Sequence, residues 1–432
     1  MRALLVSYAF PPVGGAGVGR TLKLSKFLPE HGVETAVLTV ANPSVPVTDE
    51  SLARDVRPGM EVVRARTFEP GYGMKQAAWA ASAERRPSLV RRARGAVMAL
   101  ARQALVPDPQ VLWQPGAQAA LARRLVRGRD DVVFISGPPF SQFLLAPLAR
   151  LRPGTAVVLD YRDEWITYRT TYEMMGGLGA AIGGPMEHAM LRCAHAVTTA
   201  TEEFRANLLA RFPWLDPARV HAIPNGYDPD DFPAALPVPS GARFVITYAG
   251  TVFKLTSARG LLGAVRRLHE REPELARSLS LTFIGRIVDT ELDAFEGMEG
   301  LGVERLGYLP KHEVTETLAR SHMALCLLDD VAGNERIYPG KVFELMYLGR
   351  PCLTLSPPGA LADLVARHRL GTVIGPRDEP AIADALERAL RAFRAGTYET
   401  CAAAVDIERY HRRAQAGEFA AVFRQAVDAA RA

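Results

Sequence analysis

The sequence is poor in cysteine and has no long apolar run. Its 432 residues include four cysteines, and these lie far apart without a Cys-x-x-Cys pair (Cys193, Cys326, Cys352 and Cys401). This spacing argues against a zinc site and against a disulfide framework, and it favours a reducing compartment. Because no stretch of about 18 apolar residues occurs, no transmembrane helix is predicted. The apolar run at the N-terminus is too short for a signal peptide, so we expect a cytoplasmic protein.

Two common nucleotide-binding motifs are also missing. The loop from Gly14 to Gly19 lies between a predicted strand and a predicted helix, but position 20 is arginine where a dinucleotide fingerprint needs glycine. The next strand does not end in the acidic residue that would bind a ribose, and no Gly-Lys-Ser/Thr P-loop occurs. NAD binding is therefore disfavoured. The glycines would still let a ligand approach the backbone at a helix N-terminus, and a merely tight turn is the alternative.

The remaining composition is that of an ordinary globular protein. Apolar residues make up 48% of the chain and charged residues 23%, with a net charge of +5. This mild excess suits an anionic ligand or a membrane surface and does not by itself indicate nucleic acid. The length and the alternation of strand and helix patterns predict two doubly wound α/β domains. A linker rich in Pro and Asp places their boundary near residue 236.

A basic amphipathic segment spans residues 75–105. Its cations alternate with apolar side chains (Lys75, Arg85, Arg86, Arg91, Arg92, Arg94 and Arg102 among Trp79, Leu89, Val90, Val97, Met98 and Leu100). Such a face can lie on anionic lipid headgroups. A solvated helix in a basic protein is the alternative.

Charged residues cluster after the predicted strand 156–159. The sequence there is Asp160-Tyr161-Arg162-Asp163-Glu164-Trp165. Ligands of open α/β sheets bind at the carboxyl ends of the strands, so this cluster is a candidate reaction site. A set of ion pairs that fixes a loop is the alternative.

Residues 341–348 predict a short apolar helix that keeps two charges. Pro339-Gly340 precedes it and Gly349 ends it. Lys341 and Glu344 are three residues apart and project from the same side. A cation near a helix start is disfavoured unless something negative lies opposite, and a bound phosphate would supply that charge. Glu344 could then accept hydrogen bonds from sugar hydroxyls, whereas an ordinary ion pair is the alternative.

An ordered set of stretches resembles the family-four retaining glycosyltransferases, in the branch that makes bacterial polysaccharides. That family has the GT-B fold, in which two Rossmann-like domains face each other across a cleft. The matching stretches are Phe10-Pro11-Pro12 with the following glycines, Pro138-Pro139-Phe140-Ser141, Leu159 to Trp165, Ile223-Pro224-Asn225-Gly226-Tyr227-Asp228 with Asp231-Phe232, and Pro339 to Phe343 with Glu344 and Gly349-Arg350-Pro351. They span nearly the whole chain.

The resemblance implies that the C-terminal domain binds a nucleotide diphosphate sugar. Glu344 would bind the ribose hydroxyls, and Lys341 would lie near the diphosphate. Lys254 and Arg259 would neutralise the diphosphate charge, which grows in the transition state. The complete set of expected donor-binding residues is Gly15, Gly17, Lys254, Arg259, Gly285, Lys341 and Glu344.

The resemblance also places a saccharide or lipid-linked acceptor in the N-terminal domain. Asp163 would accept a proton or orient an acceptor hydroxyl, with Arg162 beside it as a second catalytic residue. No metal and no cofactor are expected. The domains would be residues 1–236, joined by the C-terminal helix 412–432, and residues 237–411. Peripheral contact with the inner face of the plasma membrane would follow if the basic segment binds lipid.

The chain departs from the family pattern at two positions of the expected donor site. Thr251 follows Gly250 where the family often has arginine, and Arg336 lies eight residues before Glu344 where the family has a second glutamate. That glutamate usually contacts the transferred sugar. Two other functions therefore stay open: a nucleotide-sugar epimerase of GT-B fold, and a non-catalytic protein that binds nucleotide sugars.

Overall fold

The structure is a computed structural model that describes residues 1–15, 17–75, 105–167 and 178–432. The basic segment predicted over 75–105 thus lies almost entirely outside the described residues. The chain forms two compact units, one of residues 1–224 with 415–432 and one of residues 225–414. The division falls earlier in the chain than the linker signal near residue 236.

The first unit is built on a parallel sheet of seven strands. The strands are β1 (Arg2–Val6), β2 (Glu34–Val40), β3 (Glu61–Ala65), β4 (Val132–Gly137), β5 (Ala156–Tyr161), β6 (Ala196–Thr199) and β7 (Val220–Ala222), in the order β3-β2-β1-β4-β5-β6-β7. The helices are α1 (Gly19–Phe27), α2 (Gln114–Arg127), α3 (Ala146–Arg150), α4 (Trp165–Thr167), α5 (Leu178–Cys193), α6 (Glu202–Arg211) and α13 (Arg412–Arg431), of which residues from Gln415 onward belong to this unit.

Side chains of the central strands alternate between two apolar layers, as expected for a sheet that is covered on both faces. Val133 and Ile135 belong to one buried cluster, and Phe134 belongs to the other. Helix α13 closes the second layer, because Phe419 and Phe423 pack on Phe134 at ring-centroid distances of 5.6 and 5.5 Å. The core of the first unit is therefore completed by residues from the far end of the sequence.

The second unit is built on a parallel sheet of six strands. The strands are β8 (Phe244–Ala249), β9 (Leu279–Ile284), β10 (Val303–Gly307), β11 (Met323–Leu327), β12 (Cys352–Leu355) and β13 (Gly371–Ile374), in the order β10-β9-β8-β11-β12-β13. The helices are α7 (Arg259–Arg271), α8 (Pro273–Ala276), α9 (Lys311–Ala319), α10 (Lys341–Leu348), α11 (Ala360–Arg367) and α12 (Glu379–Arg394). The apolar faces of α7 and α12 are buried against the sheet.

Both sheets have a topological switch point beside their first strand. In the first unit the chain order reverses between β1 and β4, and in the second it reverses between β8 and β11. Ligands of doubly wound sheets bind outside the carboxyl ends of the strands at such points. The glycine loop of residues 14–19 follows β1, and the segment leading into α10 follows β11. The topology therefore brings the two main sequence motifs to the places where ligands are expected.

A helix that crosses a bilayer must be long and predominantly apolar. Within the described ranges, no helix combines the length and the apolar character that a bilayer crossing needs.

Candidate functional site

A carboxylate held between two lysines lies at the start of α10. Lys341 donates to Glu344 Oε2 at 3.0 Å, and Lys311, the first residue of α9, donates to Glu344 Oε1. The side chain of Glu344 is only 17% exposed. The sequence predicted that Lys341 and Glu344 share one side of the helix, and the structure places them in contact.

The two lysines decide the ionisation of Glu344. Burial favours the neutral acid, but the charges and hydrogen bonds of Lys311 and Lys341 outweigh it and lower the pKa of Glu344 to about 2. Burial also lowers the pKa of Lys311, and Glu344 opposes that shift. Glu344 is thus a charged hydrogen-bond acceptor at neutral pH.

Sequence reasoning missed Lys311. It follows Pro310 at the start of a helix, so the argument used for Lys341, that a cation there needs a negative partner, applies equally to position 311. The signal was therefore present, although the partner lies 33 residues away in sequence.

Arg259, which was expected to neutralise a diphosphate, is paired with a carboxylate in the structure. It opens α7 and donates to the two oxygens of Asp293 at 3.0 and 2.5 Å. The hydrogen bond to Asp293 raises the pKa of Arg259. Lys254 lies exposed in the loop after β8. A role of either cation at a diphosphate stays a prediction.

Gly285 is required by close packing of the backbone. Its φ is +122°, and a Cβ at this position would lie 2.3 Å from the carbonyl oxygen of Gly250. The ends of β8 and β9 can approach each other only because residue 285 has no side chain. Its contact with a donor stays a prediction.

In the first unit, Arg162 fastens the glycine loop. Its Nη1 donates to the carbonyl of Gly17 at 2.6 Å, and its Nη2 donates to the carbonyl of Pro138. Gly15 has a φ of +89°, in the left-handed region that favours glycine. Because the guanidinium of Arg162 holds the loops after β1 and β4 together, its geometry favours a positioning role over the predicted catalytic one.

Asp163 follows Arg162 at the carboxyl end of β5 and is partly exposed. Burial raises its pKa to about 6, against the opposing charge of Arg162 and with a further upward contribution from Glu164. Among the described residues, none makes a hydrogen bond to the Asp163 carboxylate within the distances that define one. A carboxylate whose pKa is raised to about 6, and which accepts no hydrogen bond from the part of the chain that the structure describes, suits proton transfer.

A buried ion pair supports this edge of the first sheet. Arg20, in the first turn of α1, donates to both oxygens of Asp160 at 2.8 to 3.1 Å and to the carbonyls of Ile223 and Pro224 at 2.8 and 2.9 Å. The side chains are 1% and 0% exposed. One network therefore fixes the helix after the glycine loop, the strand that leads to Asp163 and the last residues before the second unit.

Comparison with known proteins gives the family. The model described as a glycosyl transferase 4-like domain matches residues 14–226. The model described as glycosyl transferases group 1 matches residues 243–392. The chain belongs to the family-four type of glycosyltransferases.

One relative found by comparison is only distantly similar to this chain. This chain is 25% identical over 244 residues to the alpha-maltose-1-phosphate synthase of Mycolicibacterium smegmatis. The match covers 51% of this chain and 60% of that relative. The match therefore spans less than two thirds of the relative's length.

Similarity of fold extends over the whole glycosyltransferase. It aligns with sucrose-phosphate synthase from Thermosynechococcus elongatus at a TM-score of 0.63, with 15% identity and 98% of both chains covered. It aligns with HepE of Anabaena, solved in complex with UDP and glucose, at a TM-score of 0.57, with 13% identity and 98% and 95% of the chains covered. The predicted fold of two Rossmann-like domains of the GT-B type is confirmed.

Proposed function

We propose that this protein transfers a sugar from a nucleotide diphosphate sugar to a saccharide or lipid-linked acceptor, with retention of configuration. The observation that carries the proposal is the ionised Glu344 beside Lys341 at the switch point of the second sheet. The family supports sugar transfer, and the resemblance of the sequence supports retention. A hexosyl group and a place in polysaccharide biosynthesis follow from the same resemblance.

On the donor side, Glu344 accepts hydrogen bonds from the ribose hydroxyls, which its charge strengthens. Lys341 lies near the diphosphate and stabilises the negative charge that develops as the bond to the sugar breaks. Gly15 and Gly17 are proposed donor contacts through their backbone. No step in this proposal uses a metal ion or a cofactor.

On the acceptor side, Asp163 accepts the proton of the attacking hydroxyl or orients that hydroxyl. Its pKa of about 6 lets it stay mostly ionised at neutral pH while still binding a proton readily. Arg162 supports the reaction indirectly by holding the loops of residues 17 and 138.

A cytoplasmic location with peripheral membrane contact is a further part of the proposal. It is supported only by the sequence of residues 75–105. Co-sedimentation with vesicles of phosphatidylcholine and phosphatidylserine should depend on the anionic lipid, and replacing Arg91, Arg92 and Arg94 by glutamine should weaken it. Equal binding to pure phosphatidylcholine would contradict the electrostatic part of the proposal.

The donor site is tested by ligand binding and then by transfer. A thermal-shift screen with UDP, GDP, ADP and their sugar derivatives identifies the donor, since a ligand of the folded state stabilises it by RT ln(1 + [L]/Kd). Glu344→Ala should weaken binding about ten- to hundred-fold, the range for hydrogen bonds to a charged group. Glu316→Gln, which removes a carboxylate exposed on α9, is the matched control.

Three results would count against the proposal. Full transfer activity in Glu344→Ala would remove its basis. Release of an epimerised sugar from the donor without an acceptor would favour the epimerase instead. Tight binding of a nucleotide sugar without any turnover, over a wide set of acceptors, would favour a binding protein. The anomeric configuration of the product, read by NMR, tests retention.

A further inference from the structure

Glu344 has two cationic partners that differ in origin and in exposure. Lys341 comes from the same helix and is 30% exposed, whereas Lys311 comes from α9 and is 16% exposed. Each lysine bonds a different carboxylate oxygen. The two lysines are therefore not equivalent. Only Lys341, the more exposed of the two, is well placed to move away from the Glu344 carboxylate.

The location of Lys311 is electrostatically unfavourable without Glu344. It is the first residue of α9, where the positive end of the helix dipole repels a cation. Burial and the charge of Lys341 lower its pKa further, while Glu344 and Asp231 oppose these effects. A lysine in this position is thus tied to its carboxylate partner, in contrast to an exposed ion pair that solvent can replace.

We propose that Lys311 is a positioning residue that keeps the Glu344 carboxylate ionised and oriented toward the ribose while Lys341 turns to the diphosphate. This inference rests on the proposed function. An ionised carboxylate offers about four acceptor positions. Lys311 uses one position, which leaves enough for two ribose hydroxyls. Without Lys311, the movement of Lys341 to a phosphate would leave a largely buried carboxylate unpaired, which is unfavourable.

The experiment compares nucleotides with and without the 2′-hydroxyl. Isothermal titration calorimetry gives Kd for UDP, GDP and ADP and for their 2′-deoxy counterparts, with wild type, Lys311→Met and Lys311→Arg. Arg320→Met is the matched control, because it removes a cation that directly follows the C-terminal residue of α9 and whose side chain is 68% exposed. Lys311→Gln takes the place of Lys311→Met if the latter does not fold, with the same expected direction.

Lys311→Met should weaken binding of the preferred nucleotide about ten- to hundred-fold. It should also bring the ratio of Kd values for the deoxy and ribo forms close to one. Lys311→Arg should restore most of both properties, and Arg320→Met should change neither.

Two outcomes would overturn the inference while the donor site stands. One is wild-type affinity and wild-type preference for the 2′-hydroxyl in Lys311→Met. The other is an equal loss for the ribo and deoxy forms, which would show a general effect of charge or folding. If wild type binds none of the nucleotides, the proposed donor site itself is wrong, and the inference falls with it.

Discussion

Replacing Arg20 by methionine should strongly destabilise the first unit. The substitution leaves the Asp160 carboxylate, which is 0% exposed, without the guanidinium that bonds both of its oxygens. Ser136 and Thr198 still donate to Asp160, each at 2.7 Å. Removing one partner of a buried, hydrogen-bonded ion pair costs about 3–5 kcal/mol, because the remaining charge stays buried.

Tryptophan fluorescence measures this effect in the first unit alone. The sequence has four tryptophans, and all of them precede residue 225, where the second unit begins. Trp113 and Trp165 are 0% exposed, so unfolding should change their emission. Urea unfolding followed at this signal should show a lower midpoint for Arg20→Met, with a free energy of unfolding reduced by about 3–5 kcal/mol.

Two comparisons make the result decisive. Arg431→Met removes an exposed arginine that pairs with Asp131 in the same unit, and it should cost at most about 1 kcal/mol. The double variant Arg20→Met with Asp160→Asn should recover part of the loss, since no buried charge remains. A loss for Arg20→Met no larger than that for Arg431→Met would refute the reasoning. So would a double variant that is less stable than Arg20→Met.

Transfer should decline as the pH falls through about 6, because the pKa of Asp163 is raised to about 6 and its ionised form is needed; a kcat/KM profile measures this. Asp163→Asn should abolish transfer yet stabilise the fold by up to about 3 kcal/mol at pH 7, measured by urea unfolding. Gly285→Ala should lower the free energy of unfolding of the second unit by about 1–3 kcal/mol, seen by circular dichroism as its earlier unfolding. Phe423→Ala should lower the free energy of unfolding of the first unit, followed by tryptophan fluorescence, by about 3–5 kcal/mol, because the side chain is 0% exposed.

The buried Asp163 carboxyl destabilises the folded protein increasingly as the pH rises. Its folded pKa lies above the ordinary value of 3.8, so the folded protein holds this proton more tightly than the unfolded chain does. The destabilisation therefore grows between pH 3.8 and about 6 and is complete above that range. A stabilising effect of Asp163→Asn that persists below pH 3.8 would have another cause.

Asp428→Ala replaces an exposed residue of α13 and is the control for Phe423→Ala.

Local patterns in the sequence predicted two doubly wound α/β domains, whereas the GT-B fold and the return of the last helix to the first domain were expected from the family resemblance. Apolar runs mark the central strands because both faces of a parallel sheet are buried, as β4 and β5 show along their whole length. Strand β3 gives a weaker signal, since it lies at the edge of its sheet and most of its residues are only half buried. The short apolar helix α10 was predicted from the glycine and proline that bound it.

The pairings within the site were harder to predict, and the reason is distance along the chain. The contact between Lys341 and Glu344 spans three residues and follows from helix geometry. Lys311 reaches Glu344 across 33 residues, and Arg259 reaches Asp293 across 34. No local periodicity encodes such contacts, because they depend on which strands become neighbours in the sheet. The role expected for Arg259 overlooked Asp293 for this reason.

The return of α13 to the first sheet has a consequence for the order of synthesis and folding. Residues 225–414 make a unit that is continuous in sequence, so it can finish folding as soon as it leaves the ribosome. The unit that begins first must wait, because Phe134 is covered only when Phe419 and Phe423 have emerged. Until then the part of this apolar layer that α13 covers is open to other chains, while α1 covers another part of it. A peptide of residues 415–432, supplied separately to a chain that ends at residue 414, should be able to complete that layer.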